Sequence, residues 1–96
     1  MIEFEWDEKK NEQNRKKHGV WFEEATQAFS DPEGILYFDA VYSSLKEKRF
    51  ILLGDSGTGN ILVVIHCEMA RGLKIRIISA RKADPEEERN YREILP

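Results

Sequence analysis

A chain of 96 residues with 41% hydrophobic residues is long enough for one domain with a single modest core, and we expect residues 1–96 to form it. The formal net charge is only −3, which argues against a protein coated with basic groups. The one cysteine excludes an intramolecular disulfide, and no apolar run approaches the ~20 residues that span a bilayer. We therefore expect a cytoplasmic protein with no membrane segment.

The first third of the chain predicts one strand followed by two helices. Residues 2–6 alternate with the period of a strand. Asp7 is suited to cap a helix over residues 8–17, and Gly19 is suited to end that helix in the left-handed conformation. This helix has no apolar side chain, so its caps and its own propensity must help to hold it. Residues 21–29 carry apolar side chains at helical spacing and predict the second helix.

The rest of the chain predicts four strands and a last helix. The strands are expected at residues 35–39, 48–54, 60–67 and 74–81. Asp84 and Pro85 then have the sequence of a helix N-terminus. The predicted order is β-α-α-β-β-β-β-α. It favours an α+β fold in which an antiparallel sheet has helices packed on one face.

The last predicted strand carries cationic side chains where a small domain usually has neutral ones. Arg76 lies between apolar residues, and Arg81 ends the strand. A guanidinium in a sheet is costly to desolvate unless an anion meets it, and its planar fork suits a phosphate or a carboxylate. Regular alternation places Arg76 and Arg81 on opposite faces of the sheet. They can share a site only if the strand bends or ends before Arg81.

Four further side chains could join such a basic patch. Lys17 and His18 end the first helix and could point into the same groove, although His18 could instead only interact with the helix dipole. Arg49 opens a predicted strand, from which it could equally extend to water. His66 could transfer protons with help from Glu68, or it could be a structural histidine. No histidines or carboxylates have metal-ligand spacing, so we predict no metal and no cofactor.

Several blocks of this sequence resemble the BrnT family of bacterial toxins. They are Trp6-Asp7, Asn14-x-x-Lys17-His18-Gly19-Val20, Phe29-x-Asp31-Pro32, Lys48-Arg49-Phe50, Val63-Val64-Ile65-His66 and Ile75-Arg76-Ile77-Ile78-Ser79-Ala80-Arg81. The resemblance covers nearly the whole chain, and the combination of the blocks around His18 and Arg76 is specific. One departure is Tyr42-Ser43, where many relatives carry a His-Ser pair.

The resemblance implies a RelE-like fold and the ribonuclease toxin of a type II toxin–antitoxin pair. The partner would be a BrnA-like antitoxin of the ribbon-helix-helix type, and DNA would be bound only through the complex of the two proteins. Two alternatives remain open. The chain could be a non-catalytic module that binds RNA or a protein, or a degenerate toxin that only pairs with its antitoxin.

RNA cleavage without a metal requires the ribose 2′-hydroxyl as the nucleophile, a base, an acid, and cations that stabilise the charge on the phosphorane. The expected roles are phosphate binding by Arg76 and Arg81, auxiliary positive charge from Arg49 and Lys17, and acid or base catalysis by His66 or His18. The sequence thus predicts a catalytic site of six residues on one cationic surface.

Overall fold

The computed structural model describes residues 2–44 and 47–93. Its elements are β1 (Glu3–Glu5), α1 (Glu8–His18), α2 (Phe22–Ala28), β2 (Ile35–Phe38), β3 (Lys48–Asp55), β4 (Ile61–Met69), a 3₁₀ turn (Ala70–Gly72), β5 (Lys74–Lys82) and α3 (Pro85–Glu93). The predicted α+β class and the order of helices and strands are confirmed. None of the helices in the described residues is long and apolar enough to cross a membrane.

The five strands form one sheet in the order β1-β5-β4-β3-β2. The pairs β2–β3, β3–β4 and β4–β5 are antiparallel, whereas β1 lies parallel to β5. The sheet is therefore mixed and not wholly antiparallel as predicted. An alternating sequence marks a strand but not the direction of its neighbour, and no hairpin connects β1 to β5.

The helices lie on both sides of the sheet and not on one face as predicted. On the side that we call the helix face, α2 packs against side chains of the three central strands, including Leu52, Leu62, Val64, Ile75 and Ile77. On the opposite side Tyr91 of α3 packs against Leu53, Ile61 and Val63. We call this side the arginine face, since Arg49, Arg76 and Arg81 belong to it. Residues 61–64 are buried on both faces of the sheet, so other elements must pack on each face.

Two buried asparagines attach helix α1, which has no apolar side chain, to α2 and β5. Asn11 Oδ1 accepts a 2.7 Å hydrogen bond from the backbone N–H of Phe22. Asn14 Nδ2 donates to the carbonyl oxygens of Val20 and Ala80 at 2.9 and 2.8 Å, and its Oδ1 accepts from Ala80 N at 3.1 Å. Asn14 thus satisfies the outer edge of β5 beyond the end of the short strand β1.

A β-bulge at Ile78 changes which side chains of β5 share a face. Two adjacent residues of β4 pair with Ser79 and Ile77, so Ile78 is an extra residue in β5. The bulge shifts the alternation of the strand by one residue. Arg76 and Arg81 therefore lie on the same face, whereas regular alternation predicted opposite faces.

β2 forms the other edge of the sheet and exposes apolar side chains. Leu36, Tyr37 and Phe38 are between 43% and 55% exposed, and Val41 in the following loop is 84% exposed. Apolar side chains along an edge strand form a surface that a protein partner can cover. This surface adjoins the end of β3 that carries Arg49.

Candidate functional site

Arg49 and Arg76 lie on either side of Cys67 on the arginine face. Cys67 is the direct cross-strand neighbour of both, with Arg49 on β3 and Arg76 on β5. Neighbouring strands are about 4.8 Å apart, so the Cα atoms of the two arginines are about 10 Å apart. Burial and the charge of Glu47 raise the pKa of the Cys67 thiol, which therefore stays protonated between the guanidinium groups. Two flexible side chains at this spacing can reach one anion.

The loop that follows β2 positions Arg49. Ser43 Oγ accepts a hydrogen bond from Arg49 N at 2.8 Å and donates to Asp39 O at 2.6 Å, which closes the loop. The guanidinium lies 4.9 Å from the centroid of the Tyr42 ring, and its Nε is 3.6 Å from Asp39 Oδ2. Nε is buried and donates no hydrogen bond to any described residue. The loop therefore orients Arg49 without using all of its donors.

Glu5 holds Arg76 and Lys74 at the junction of β1 and β5. Its Oε2 accepts from Arg76 Nε at 2.7 Å and lies 2.6 Å from Nη2, and its Oε1 is 2.9 Å from Lys74 Nζ. Hydrogen bonds from Lys74 and Arg76 lower the pKa of Glu5, so the carboxylate is ionised. One negative charge thus faces two positive charges. The Arg76 side chain is 53% exposed and accessible to a ligand.

Lys17 and His18 lie at the C-terminal end of α1, next to Ile78 and Ser79 of β5. They line a cavity of about 180 Å³ at the end of α1. A neighbouring cavity of about 320 Å³ is lined by Arg76 and shares Lys10 and Ile78 with the first one. Three lysine or arginine side chains, Lys10, Lys17 and Arg76, line these two cavities, and three carboxylates, Glu5, Asp7 and Glu8, line the one beside Arg76.

Arg81 lies at the other end of the arginine face. It is opposite Val63 on β4, four residues from Cys67, which corresponds to about 13 Å along the strand. Its Nη1 and Nη2 donate to the two carboxylate oxygens of Glu87 at 2.7 and 2.8 Å. This bidentate pair attaches α3 to β5. The structure therefore does not bring Arg81 to Arg76, although the bulge places both on one face.

His66 lies on the helix face and is fully buried. Its ring centroid is 4.8 Å from that of Phe29 and 6.0 Å from that of Phe50, and Nδ1 is 3.2 Å from Val64 O. Burial lowers the pKa of His66 to about 4, so the ring is neutral at pH 7. The sheet separates it from Arg49 and Arg76. His66 cannot exchange protons with a substrate bound on the arginine face.

Replacement of His66 by phenylalanine is expected to flatten the acid side of the stability profile. The folded pKa of about 4 lies below the unfolded value of about 6.5, so the unfolded chain binds more protons between these pH values. The wild type therefore loses roughly 3 kcal/mol of unfolding free energy as the pH falls through this range. His66→Phe keeps an aromatic ring beside Phe29 but does not titrate.

Urea unfolding of both proteins at pH 7 and pH 4.5 measures this difference. The comparison uses the loss of stability within each protein, so a constant packing cost in His66→Phe cancels. An equal loss in the two proteins would show that another group causes the acid sensitivity.

Sequence reasoning missed three side chains that complete the surroundings of the two arginines, namely Glu5, Asp39 and Tyr42. Glu5 is 71 residues from Arg76 along the chain, so only the parallel pairing of β1 with β5 reveals it. Tyr42 was noticeable only as a departure from relatives. Within residues 2–44 and 47–93, no group of three His, Cys, Asp or Glu side chains is arranged to hold a metal ion.

A protein family described as "Ribonuclease toxin, BrnT, of type II toxin-antitoxin system" has a sequence model that matches residues 6–87. The chain belongs to the BrnT family. Membership of the BrnT family makes it a ribonuclease toxin whose partner is an antitoxin and whose substrate is RNA.

The fold is also similar to a solved BrnT structure. The 1.1 Å crystal structure of the Brucella abortus ribonuclease toxin, BrnT, superimposes with a TM-score of 0.65. The sequence identity is 21%, and the match covers 88% of this chain and 99% of that chain. A comparison with curated proteins gives no match. The structural likeness supports the fold, while the family match supports the activity.

Proposed function

We propose that this BrnT-family toxin cleaves RNA at a phosphate bound between Arg49 and Arg76. The position of these two guanidinium groups, on either side of Cys67 and on one face of the sheet, carries the proposal. A guanidinium offers two parallel N–H donors that match the oxygens of a phosphate diester. Tyr42 and Asp39 position the Arg49 guanidinium in the free protein, and such preorganisation favours the charge that builds up in the transition state.

The proposed reaction uses the ribose 2′-hydroxyl as the nucleophile and requires no metal. A bond forms between the 2′-oxygen and phosphorus, and the bond from phosphorus to the 5′-oxygen of the next nucleotide breaks. The products are a 2′,3′-cyclic phosphate and a 5′-hydroxyl. Arg49 and Arg76 stabilise the phosphorane. The 2′-hydroxyl loses its proton and the leaving 5′-oxygen gains one, and we assign one of these two proton transfers to His18, since His66 is buried on the other face.

Glu5 prepares Arg76 for this role in the free protein. An incoming phosphate competes with the Glu5 carboxylate for the guanidinium of Arg76. Lys74, 2.9 Å from the other carboxylate oxygen, keeps Glu5 paired when Arg76 turns to the substrate. The exchange therefore leaves no unpaired charge, and its cost is small.

The neighbouring nucleotides have a path along the edge of β5. Lys10 and Lys17 line the two cavities near Arg76 and the end of α1 and can contact phosphates on one side of the cut, although Glu5, Asp7 and Glu8 also line the cavity beside Arg76.

The antitoxin, which we propose to be a ribbon-helix-helix protein, neutralises the toxin by covering the arginine face. The exposed apolar side chains of β2 and Val41 adjoin Arg49 and give the partner apolar area beside the charges. DNA binding then belongs to the antitoxin in a cytoplasmic complex.

Incubation of the purified toxin with a synthetic RNA in excess EDTA tests the reaction. We expect cleavage that leaves a cyclic phosphate, and we expect a single 2′-deoxy nucleotide before the cut to abolish it. Loss of activity in EDTA that divalent ions restore would refute the metal-independent route. RNA that is retarded but never cut would instead favour the non-catalytic binding module.

A further inference from the structure

We propose that Tyr42 stacks on the base of a nucleotide beside the cut and thereby makes the toxin select unpaired RNA. This role rests on the proposed function, because it concerns the substrate of the same site. A separate observation supports the stacking role. The Tyr42 ring lies over the guanidinium of Arg49 at 4.9 Å, yet the residue is 69% exposed.

The loop itself, and not the core, holds Tyr42 in place. Asp39 Oδ1 accepts from Tyr42 N at 3.4 Å, Ser43 bonds to both ends of the loop, and Ser44 N donates to Glu47 O at 2.8 Å. The ring is therefore positioned by polar contacts of the backbone around it. One side of the ring faces Arg49, and the large exposed fraction leaves the other side for a ligand.

A nucleobase is the ligand that fits this arrangement. Every base has a flat π face, and stacking on an aromatic side chain contributes about 1–3 kcal/mol per base with little sequence preference. Bases within a duplex are already stacked and paired, so only an unpaired base is available. Because Arg49 also binds the phosphate in the proposed function, a base on Tyr42 belongs to a nucleotide next to the scissile bond.

A double-mutant cycle, in which the Tyr42 ring, an RNA base beside the cut, or both are removed, tests this role. After the cut has been mapped on a mixed-sequence RNA, oligonucleotides with one cut site are prepared intact and with an abasic nucleotide on either side of the cut. The proteins are the wild type, Tyr42→Ala and Tyr42→Phe. Val41→Ala is the matched control, since Val41 is an apolar residue of the same loop and is 84% exposed.

We expect Tyr42→Ala to weaken binding of intact RNA by roughly 5–150-fold, as stacking on one base predicts. Tyr42→Phe and Val41→Ala should bind nearly as the wild type does. One abasic RNA should weaken binding to the wild type by a similar factor but have little further effect on Tyr42→Ala. An equal effect of the abasic site on both proteins, or wild-type binding by Tyr42→Ala, would overturn the stacking role.

The cycle is measured as the Kd for RNA that carries a 2′-deoxy nucleotide before the cut, by fluorescence anisotropy. This readout does not depend on cleavage. Coupling between Tyr42 and one base beside a cut that requires a divalent ion would refute the proposed reaction and leave the stacking role in place. Cleavage without such coupling would refute only the stacking role.

Discussion

Replacement of Arg76 by alanine is expected to lower RNA cleavage by roughly 10²–10³-fold, because it removes a donor that acts mainly on the transition state. The fold should survive, since the Arg76 side chain is 53% exposed and its ion pair with Glu5 lies at the surface. Lys74 still pairs with Glu5 in this variant. The measurements are kcat/KM on a single-site RNA, the thermal midpoint, and growth arrest in cells.

Arg92→Ala is the matched control for Arg76→Ala. Arg92 is also an exposed arginine in an ion pair, with Glu88 one helical turn away on α3, so its loss changes the net charge equally. We expect it to keep full activity. Arg81→Ala should instead lose stability, since Arg81 attaches α3 through Glu87, while each folded molecule still cuts RNA. Equal activity of Arg76→Ala and Arg92→Ala would remove Arg76 from the site.

Asn14→Ala is expected to be the most destabilising change in α1. It deletes three hydrogen bonds and leaves the N–H and C=O of Ala80 and the C=O of Val20 without their partner. Each buried unsatisfied group costs about 1–3 kcal/mol, so we expect a loss of about 3–5 kcal/mol after some relaxation. A domain of this size has only about 5–15 kcal/mol in total, so the loss is a large part of it.

Urea unfolding followed by circular dichroism measures the effect of Asn14→Ala. Gln13→Ala is the control, because Gln13 is an exposed polar residue of the same helix, and alanine suits a helix interior at both positions. A difference of less than 1 kcal/mol between the two variants would show that α1 is held to β5 by other contacts.

The helices and strands could be predicted because their signals are local. Asp7 caps α1 by accepting from the N–H of Lys9 at 2.8 Å, and Gly19 ends it with φ of 76°. The way α1 attaches could not be predicted, since polar residues in a helix usually indicate a solvated surface. Asn14 acts through a hydrogen bond to Ala80, 66 residues away, and no local sequence pattern indicates such a contact.

The candidate site could be predicted only in part, for the same reason. Arg76 could be identified because a cation between apolar strand residues needs an anion, whereas Arg49 was predicted only as an auxiliary charge. Which cations meet depends on the strand order and on the bulge at Ile78, and both are set by pairing with β4. Arg81 was predicted to bind the phosphate with Arg76, but it pairs with Glu87 at the other end of the face. His66 was predicted as an acid or base, but it is buried and the sheet separates it from Arg49 and Arg76.

Because of the bulge, the number of residues in β5 determines which side chains lie on each face of the sheet as much as their identity does. Removal or insertion of one residue in this stretch would turn Arg81 toward the apolar interior and Ala80 toward the surface. The anchor for α1 and the anchor for α3 would then be lost together, even if every remaining side chain were unchanged. Point substitutions here act on single contacts, whereas a change of spacing exchanges the inside and the outside of the strand.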